Sequence, residues 1–175
     1  MNFFKDDKNN ILSLETGQTP PDGFEQITKE EAMAVANPEP TLDQLKTLQT
    51  ETINSAAEKA ITGGFTMLVT SAQVEDGSTL ENQNVTFDSS ETDQKNFAYQ
   101  QVLVLSGLKE NGLAVRGLIE GDEYKKAMLV TKEVYTDIIQ ALGEHVQTNL
   151  AKGWQLKTKI AEAQTVEEVQ AVVWD

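Results

Sequence analysis

Apolar residues recur with helical spacing over residues 131–163, the most regularly patterned stretch of the chain. A step of four residues repeats along it, in the series Val134, Ile138, Leu142, Val146, Leu150 and Trp154. After a shift of register, the apolar side continues with Leu156, Ile160 and Ala163. Such spacing is typical of an amphipathic helix with one buried side. It predicts a long helix with Leu142 and Val146 in the core.

A short helix is predicted directly after the long one. Thr165 and Glu168 have the spacing of a capping box, in which each side chain accepts a hydrogen bond from the other residue's backbone N–H. Apolar residues follow this signal, at Val166, Val169, Val172, Val173 and Trp174. The two helices together are predicted to offer a continuous apolar surface on which the rest of the chain packs.

Residues 2–14 have the pattern of a small β-hairpin. Two short β-capable runs, Phe3-Phe4 and residues 11–14, flank the turn-forming segment 6–10. A two-stranded ribbon is marginally stable alone, so the hairpin is predicted to dock on another element.

A short helix is predicted after the hairpin and a loop. Thr28 and Glu31 form a second capping box, and the helix stops before Pro38, because the residue before a proline is disfavoured in the helical region. Pro38 and Pro40 favour a boundary between two parts of the chain at this position. We predict a hairpin-helix appendage over residues 1–40, separable from an α+β body over residues 41–175.

The body is predicted to begin with a helix followed by two strands. Thr41 and Gln44 form a third capping box, and Gly63 and Gly64 end the helix, because glycine readily adopts the left-handed conformation found at helix ends. A strand is predicted next, from the alternation of Phe65, Met67 and Val69. A shorter strand follows at residues 85–87.

The predicted elements between this strand and the long helix complete the fold class. A helix is predicted over residues 91–108, ended at Asn111, with an inner side formed by Phe97, Val102, Leu105 and Leu108. Residues 114–119 and 124–130 are predicted to form a hairpin. Antiparallel strands beside helices indicate an α+β fold, with a small antiparallel sheet and hairpins packed on the long C-terminal helix and followed by the short one.

Composition narrows the classes of function. The chain has 175 residues, no cysteine and a net charge of −14 from 28 acidic and 14 basic residues. Without cysteine, disulfides, thiolate zinc sites and cysteine nucleophiles are excluded. An acidic surface repels nucleic acid and anionic lipid, so neither is expected as a partner. Scattered acids favour solubility, with an acidic face for a basic partner, or mimicry of DNA, as the alternative. No apolar run has the length of a membrane span or signal peptide, so a soluble cytoplasmic protein is expected.

The usual catalytic and metal-binding groups are nearly absent. His145 is the only histidine, so it lacks the second histidine that a metal pair would need, and it is interpreted as a helix-surface or hydrogen-bonded interior residue. The acidic segment from Asp6 lacks the glycine at position six and the glutamate at position twelve that a calcium loop requires. No phosphate-binding loop or nucleophile-elbow serine is present.

One acidic cluster is a candidate for catalysis. Asp88, Glu91 and Asp93 could pair carboxylates for acid–base chemistry, but Ser90 with Asp93 is more simply an N-cap and its reciprocal acid. We therefore predict no catalytic, cofactor-binding or metal-binding residues and no enzyme. Carboxylates alone can hydrolyse glycosidic bonds, so a glycan-cleaving enzyme stays as the distant alternative.

Aromatic anchors supply the candidate binding residues. Trp154 on the helical stripe is interpreted as a core residue. Trp174 either holds the last helix in place, which is the favoured interpretation, or contacts a partner, since interfaces favour such anchors. The candidate partner-binding residues are Phe3, Phe4 and Trp174.

Several short segments carry a family resemblance. In the C-terminal half they are residues 85–88 with the following helix, the hairpin to Thr131, residues 134–146, residues 156–169 and residues 172–174. On these, the region from Asn84 to Trp174 resembles an uncharacterised domain family of tailed bacteriophages and prophages that is common in tail-fibre-associated proteins. The Pro21-Asp22 loop and residues 27–31 are similar to the opening of phage tail-fibre assembly proteins.

The resemblance implies a non-enzymatic accessory of phage tail fibres, and it brings no catalytic residues. One version is a chaperone that shields apolar surface on the fibre in the host cytoplasm during assembly. The other is a structural subunit that stays in the distal tail or fibre of the virion. In both versions the partner is a tail-fibre or tail polypeptide, and self-association stays open as well.

Overall fold

The computed structural model describes residues 1–109 and 112–175. The chain forms two compact units, Met1–Leu45 and Lys46–Asp175. Helices and antiparallel strands, with the long helix and a short one at the C-terminus, confirm the predicted α+β class. The separability of residues 1–40 stays a prediction.

The first unit is a small sheet with one helix against it. Its strands β1 (Asn2–Lys5), β2 (Ile11–Leu14) and β3 (Glu25–Ile27) pair antiparallel in the order β2-β1-β3, and the helix is α1 (Lys29–Ala36). The Asp6 carboxylate closes the hairpin turn by accepting from the backbone N–H of Lys8 and Asn10, at 2.9 and 2.7 Å. The predicted hairpin is confirmed. β3 was not predicted, because three residues carry no alternation and only pairing with β1 makes them a strand.

The second unit begins within the long helix α2 and contains the rest of the chain. In chain order the elements are α2 (Leu42–Thr62), β4 (Phe65–Val74), β5 (Thr79–Phe87), α3 (Glu91–Leu105), β6 (Leu113–Ile119), β7 (Lys126–Val130), α4 (Lys132–Glu162) and α5 (Val166–Gln170). Capping boxes occur at Thr28, Ser90 and Thr165, and Thr41 and Gln44 exchange the same pair of hydrogen bonds. The predicted stop at Asn111 lies outside the described residues.

Strands β4 to β7 form a closed antiparallel barrel, where only a small sheet was predicted. Closure comes from β4 pairing with β7, through Gln73 opposite Leu129 and Val74 opposite Met128. In β4 the buried positions change from Phe65 and Val69 to Ala72 and Val74, so the alternation shifts by one residue. Opposite this shift, Asn82 of β5 has a positive φ of 49°. A local change of this kind bends a strand pair, which allows the long hairpin to curve around the barrel.

Helix α4 supports two hydrophobic clusters of the second unit. Its first half contributes Val134, Tyr135, Ile138 and Leu142 to the barrel core. Its second half contributes Leu156 and Ile160 to a smaller cluster with Ile53 and Val172. The predicted burial of Leu142 is confirmed, and Val146 is partly buried.

The predicted stripe along α4 does not stay on one side. Leu150 is 37% exposed and Trp154 is 61% exposed, so the interpretation of Trp154 as a core residue is wrong. A helix turns by about 100° per residue, so each four-residue step leaves a rotation of about 40°. From Val134 to Trp154 these rotations add up to about 200°, which carries Trp154 to the opposite side of the helix.

The end of α2 is held by side chains from two later elements. Ser89, which is fully buried, donates to the Ile61 carbonyl at 2.5 Å and accepts from the Gly64 N–H at 2.9 Å. His145 donates through Nε2 to the Ala60 carbonyl at 3.0 Å. The last carbonyls of a helix lack hydrogen-bond partners within the helix, and here Ser89 and His145 donate hydrogen bonds to two of them. His145 is therefore a hydrogen-bonded, structural histidine.

Tyr135 predicts how stability depends on alkaline pH. Its hydroxyl donates to the Phe97 carbonyl at 2.7 Å, and burial raises its pKa to about 12. An unfolded tyrosine has a pKa of about 10. Between these two pKa values the folded protein keeps a proton on Tyr135 that the unfolded chain loses. The contribution of Tyr135 to the free energy of unfolding is therefore fully present below pH 10 and is lost as the pH rises from 10 to 12. We expect Tyr135→Phe to remove this loss, measured as the free energy of unfolding in urea at pH 9 and pH 11.

Tyr99→Phe is the matched control, because Tyr99 is exposed. It should show the same alkaline loss as the wild type. An equal loss in the Tyr135→Phe protein would contradict the assignment.

Candidate functional site

The predicted partner-binding residues lie in both units. In β1 of the first unit, Phe4 is buried and Phe3 is partly exposed. In the second unit, Trp174 is partly buried against the cluster of Leu156 and Val172, and the Lys152 ammonium lies 4.8 Å from its ring centroid. Trp174 therefore holds the C-terminal segment in place. A partner-binding role for Phe3, Phe4 and Trp174 stays a prediction.

The acidic residues of the candidate catalytic cluster have local partners. Asp88 pairs with the Lys125 ammonium at 2.5 Å, and Glu91 lies 3.6 Å from that of Lys95. Asp93 accepts from the Ser90 N–H at 3.1 Å, as the reciprocal acid of the capping box. Within residues 1–109 and 112–175, no group of three or more histidines or carboxylates could hold a metal ion. In the same ranges, no helix is both long and apolar enough to cross a membrane.

The strongest ionic cluster stabilises two turns of the barrel. Lys126 lies 3.1 Å from a carboxylate oxygen of Asp122 and 3.4 Å from one of Asp76. Hydrogen bonds from Ser78, assisted by Lys126, lower the pKa of Asp76 to about 2. Asp122 and Asp76 in turn raise the pKa of Lys126. These pKa shifts arise from hydrogen bonds and ion pairs that stabilise the turns, so they do not indicate an acid–base site.

The most unusual surface of the second unit is the outer side of α3. Four large apolar side chains there are between 62% and 77% exposed, and we call them the α3 stripe: Tyr99, Val102, Leu105 and Leu108. Successive members are three residues apart, so neighbouring side chains lie close together along the helix and its C-terminal turn. Contiguous exposed apolar side chains of this kind mark interaction sites on soluble proteins.

The inner side of α3 explains why the stripe faces outward. Phe97 and Val104, two helical turns apart, are the buried residues of α3. The Phe97 ring packs near those of Phe65, Phe87 and Tyr135, with centroids 6.2–6.5 Å apart. Gln100 lies on the same side and donates through Nε2 to the Ala114 carbonyl at 3.1 Å. These contacts fix the rotation of α3 about its axis.

The prediction that Val102, Leu105 and Leu108 face the core is therefore wrong, and of the four predicted inner residues only Phe97 is buried. Counting apolar residues selects the more apolar side of a helix as the inner one. In α3 the large ring of Phe97 and a hydrogen-bonding glutamine take that place.

The last member of the stripe is positioned by the end of α3. Gly107 has a positive φ of 71°, a conformation that glycine adopts without steric cost. The Leu108 N–H donates to the Leu103 carbonyl at 3.0 Å, and the Gly107 N–H donates to the Val104 carbonyl at 3.1 Å. These two hydrogen bonds form a Schellman motif. Leu108 is thus held next to the helix.

The stripe lies in an uncharged segment of an acidic protein. From residue 96 to residue 108 the sequence has no charged side chain, and Lys95 and Lys109 flank this segment. Elsewhere the chain has a strong acidic excess, with a net charge of −14. The centres of protein interfaces are depleted of charge and enriched in residues such as tyrosine. The surface around α3 is therefore suited to binding an apolar segment of a polypeptide. This uncharged segment is the feature of the sequence from which the binding surface could have been predicted.

One family model matches the chain. It is the Domain of unknown function DUF4376, and it matches residues 44–173, which include the barrel and the α3 stripe. The match covers more than half of the chain, so the chain belongs to this uncharacterised family. No curated protein and no solved structure matches it.

Proposed function

We propose that this member of the DUF4376 family is a non-enzymatic accessory of phage tail fibres that works by binding a fibre polypeptide through the α3 stripe. The observation that carries the proposal is the exposure of Tyr99, Val102, Leu105 and Leu108. Burying a large aliphatic side chain contributes about 1.5–3 kcal/mol relative to leaving it in water. Covering the stripe would therefore be strongly favourable.

The assignment to tail fibres rests on the sequence resemblances. The region from Asn84 to Trp174 resembles a domain common in tail-fibre-associated proteins, and the Pro21-Asp22 loop with residues 27–31 is similar to the opening of tail-fibre assembly proteins. An acidic protein with an uncharged apolar face would suit a fibre polypeptide that exposes apolar surface before it assembles. We favour an assembly chaperone, with a structural subunit of the distal tail as the alternative.

Substitutions in the stripe test the proposal. We expect the double variant Val102→Ser, Leu105→Ser to lose about tenfold or more in affinity for a tail-fibre polypeptide encoded beside this chain, because anchors at the centre of an interface dominate binding. Both positions are solvent-exposed, so the free energy of unfolding should change by about 0.5 kcal/mol or less per site. The measurement is calorimetric titration, or co-purification after co-expression.

Leu68→Ser is the matched control. Leu68 is an exposed leucine of the barrel, 52% accessible and outside the stripe. It should bind as the wild type does. Equal binding by the double variant would remove the stripe from the proposal. If the chain is instead a dimer that the double variant converts to a monomer, the stripe is an interface between copies.

Two further observations separate the versions of the function. Mass spectrometry of purified virions should find the protein if it is a tail subunit and should not find it if it is a chaperone. A fibre that is soluble, assembled and infective without this chain, together with its absence from virions, would exclude both.

A further inference from the structure

A groove of about 330 Å³ lies between α2 and α4 on the second unit. The two helices approach closely at Gly153, where an added Cβ would lie 3.5 Å from that of Ala57. Trp154 follows Gly153 and lines the groove with 61% of its surface accessible. A tryptophan this accessible, in a concave site, is a ready contact for a ligand.

The two tryptophans of the chain differ in what covers them. The Trp174 ring already has the Lys152 ammonium 4.8 Å from its centroid. Within the described residues, the contact between Lys152 and Trp174 is the one cation–π contact, and no cation lies over the Trp154 ring. Tryptophan is the aromatic side chain that attracts cations most strongly. Trp154 therefore has a face open to a cation from outside.

The charged groups of the groove favour the same ligand. Glu58 and Glu91 line it, and Lys157 also lines it. The Lys157 ammonium donates to the Asn54 side-chain oxygen at 3.0 Å, which fixes it at one edge. Glu91 is already paired with the Lys95 ammonium at 3.6 Å. Glu58 forms no ion pair within the described residues, so it is the carboxylate of the groove that is available to an added cation.

We propose that this groove binds a lysine or arginine side chain of a basic polypeptide segment, with the cation over the Trp154 ring and near Glu58. The aliphatic part of such a side chain would lie against the apolar groove wall formed by Ala57, Ile61 and Leu150. The site is separate from the α3 stripe and does not depend on the function proposed for it.

A capped tetralysine peptide is the probe. Titrating it into the full chain, we expect the indole N–H signal of Trp154 in a two-dimensional NMR spectrum to shift and saturate, while that of Trp174 stays in place. Trp154→Phe assigns the two signals. Exposed cation–π contacts correspond to about a two- to fivefold change in affinity, which is the loss expected for Trp154→Ala. Because this variant lacks the indole reporter, its affinity and that of the wild type are compared by calorimetric titration.

Glu58→Gln should weaken binding by about twofold, and Glu167→Gln is its control, with the same change of charge at an exposed position on α5. An equal loss in both variants would mean non-specific attraction to an acidic surface and would overturn the proposal. A non-saturating shift would overturn it as well. So would saturable binding of a neutral oligosaccharide at Trp154 without binding of the peptide.

Discussion

Replacing Leu142 by alanine is expected to lower the free energy of unfolding by about 2–5 kcal/mol, whereas the same substitution at Leu150 should cost about 1 kcal/mol or less. Both residues lie on α4, two helical turns apart, and both belong to the same four-residue repeat. Leu142 is buried in the barrel core, and Leu150 is 37% exposed at the groove. Truncating a buried leucine removes its transfer free energy and leaves a cavity, whereas a partly exposed one can be replaced by water.

Urea unfolding at neutral pH measures both variants, with equal slopes showing that the two-state comparison holds. Leu150→Ala controls for the loss of the same atoms and for the change in helix propensity. A cost well under 1 kcal/mol at Leu142 would contradict its place in the core. Equal costs at the two positions would contradict the rotation of the stripe around α4.

Local signals in the sequence were sufficient to place most elements. The exchanges between Thr28 and Glu31 and between Thr165 and Glu168 begin α1 and α5 where the capping boxes predict. Helix α2 likewise ends at Thr62, directly before the predicted stop at Gly63 and Gly64. Such signals depend on residues close in the chain, so they can be identified without knowledge of the tertiary structure.

The orientation of the helices and the closure of the barrel depend on distant residues. A repeat of four placed Trp154 in the core, because the prediction did not include the drift of a 3.6-residue helix. The outward side of α3 is decided by the packing of Phe97 against rings from β4, β5 and α4. Barrel closure depends on β4 pairing with β7, which are separated by two strands and a helix. None of these contacts is visible in a local pattern.

The same dependence on distant residues explains why the candidate surfaces were not predicted from the sequence. The α3 stripe and the Trp154 groove each include apolar residues that a periodicity argument assigns to the core: Val102, Leu105 and Leu108 in the stripe, and Leu150 and Trp154 in the groove. Both surfaces are recognisable only once the inner side of each helix is known. Phe3, Phe4 and Trp174 were chosen for aromatic character, and the most exposed apolar side chains lie elsewhere. A helix with more apolar residues than its buried side can hold is therefore a useful sequence signal for an interaction surface in this protein.

The barrel interior gives the second large prediction, at Gly117 of β6. Gly117 points inward between Val85 and Phe87 of β5, and an added Cβ would lie 2.4 Å from a Val85 methyl carbon and 3.1 Å from the Thr86 carbonyl oxygen. Val85 and Phe87 are fully buried, so neither can move aside without disturbing the core. We expect Gly117→Ala to lower the free energy of unfolding by about 1–3 kcal/mol, because inserting atoms into a closely packed core forces neighbouring side chains and backbone to shift.

Gly143→Ala is the matched control, because it adds the same methyl group to a position where nothing lies within 4 Å of the new atom. Gly143 lies inside α4, where alanine is favoured over glycine by about 1 kcal/mol, so this variant should be more stable than the wild type. The two alanine variants should therefore shift the urea midpoint in opposite directions and differ by about 2–4 kcal/mol. If Gly117→Ala were as stable as Gly143→Ala, β6 could not approach β5 as closely as this barrel requires.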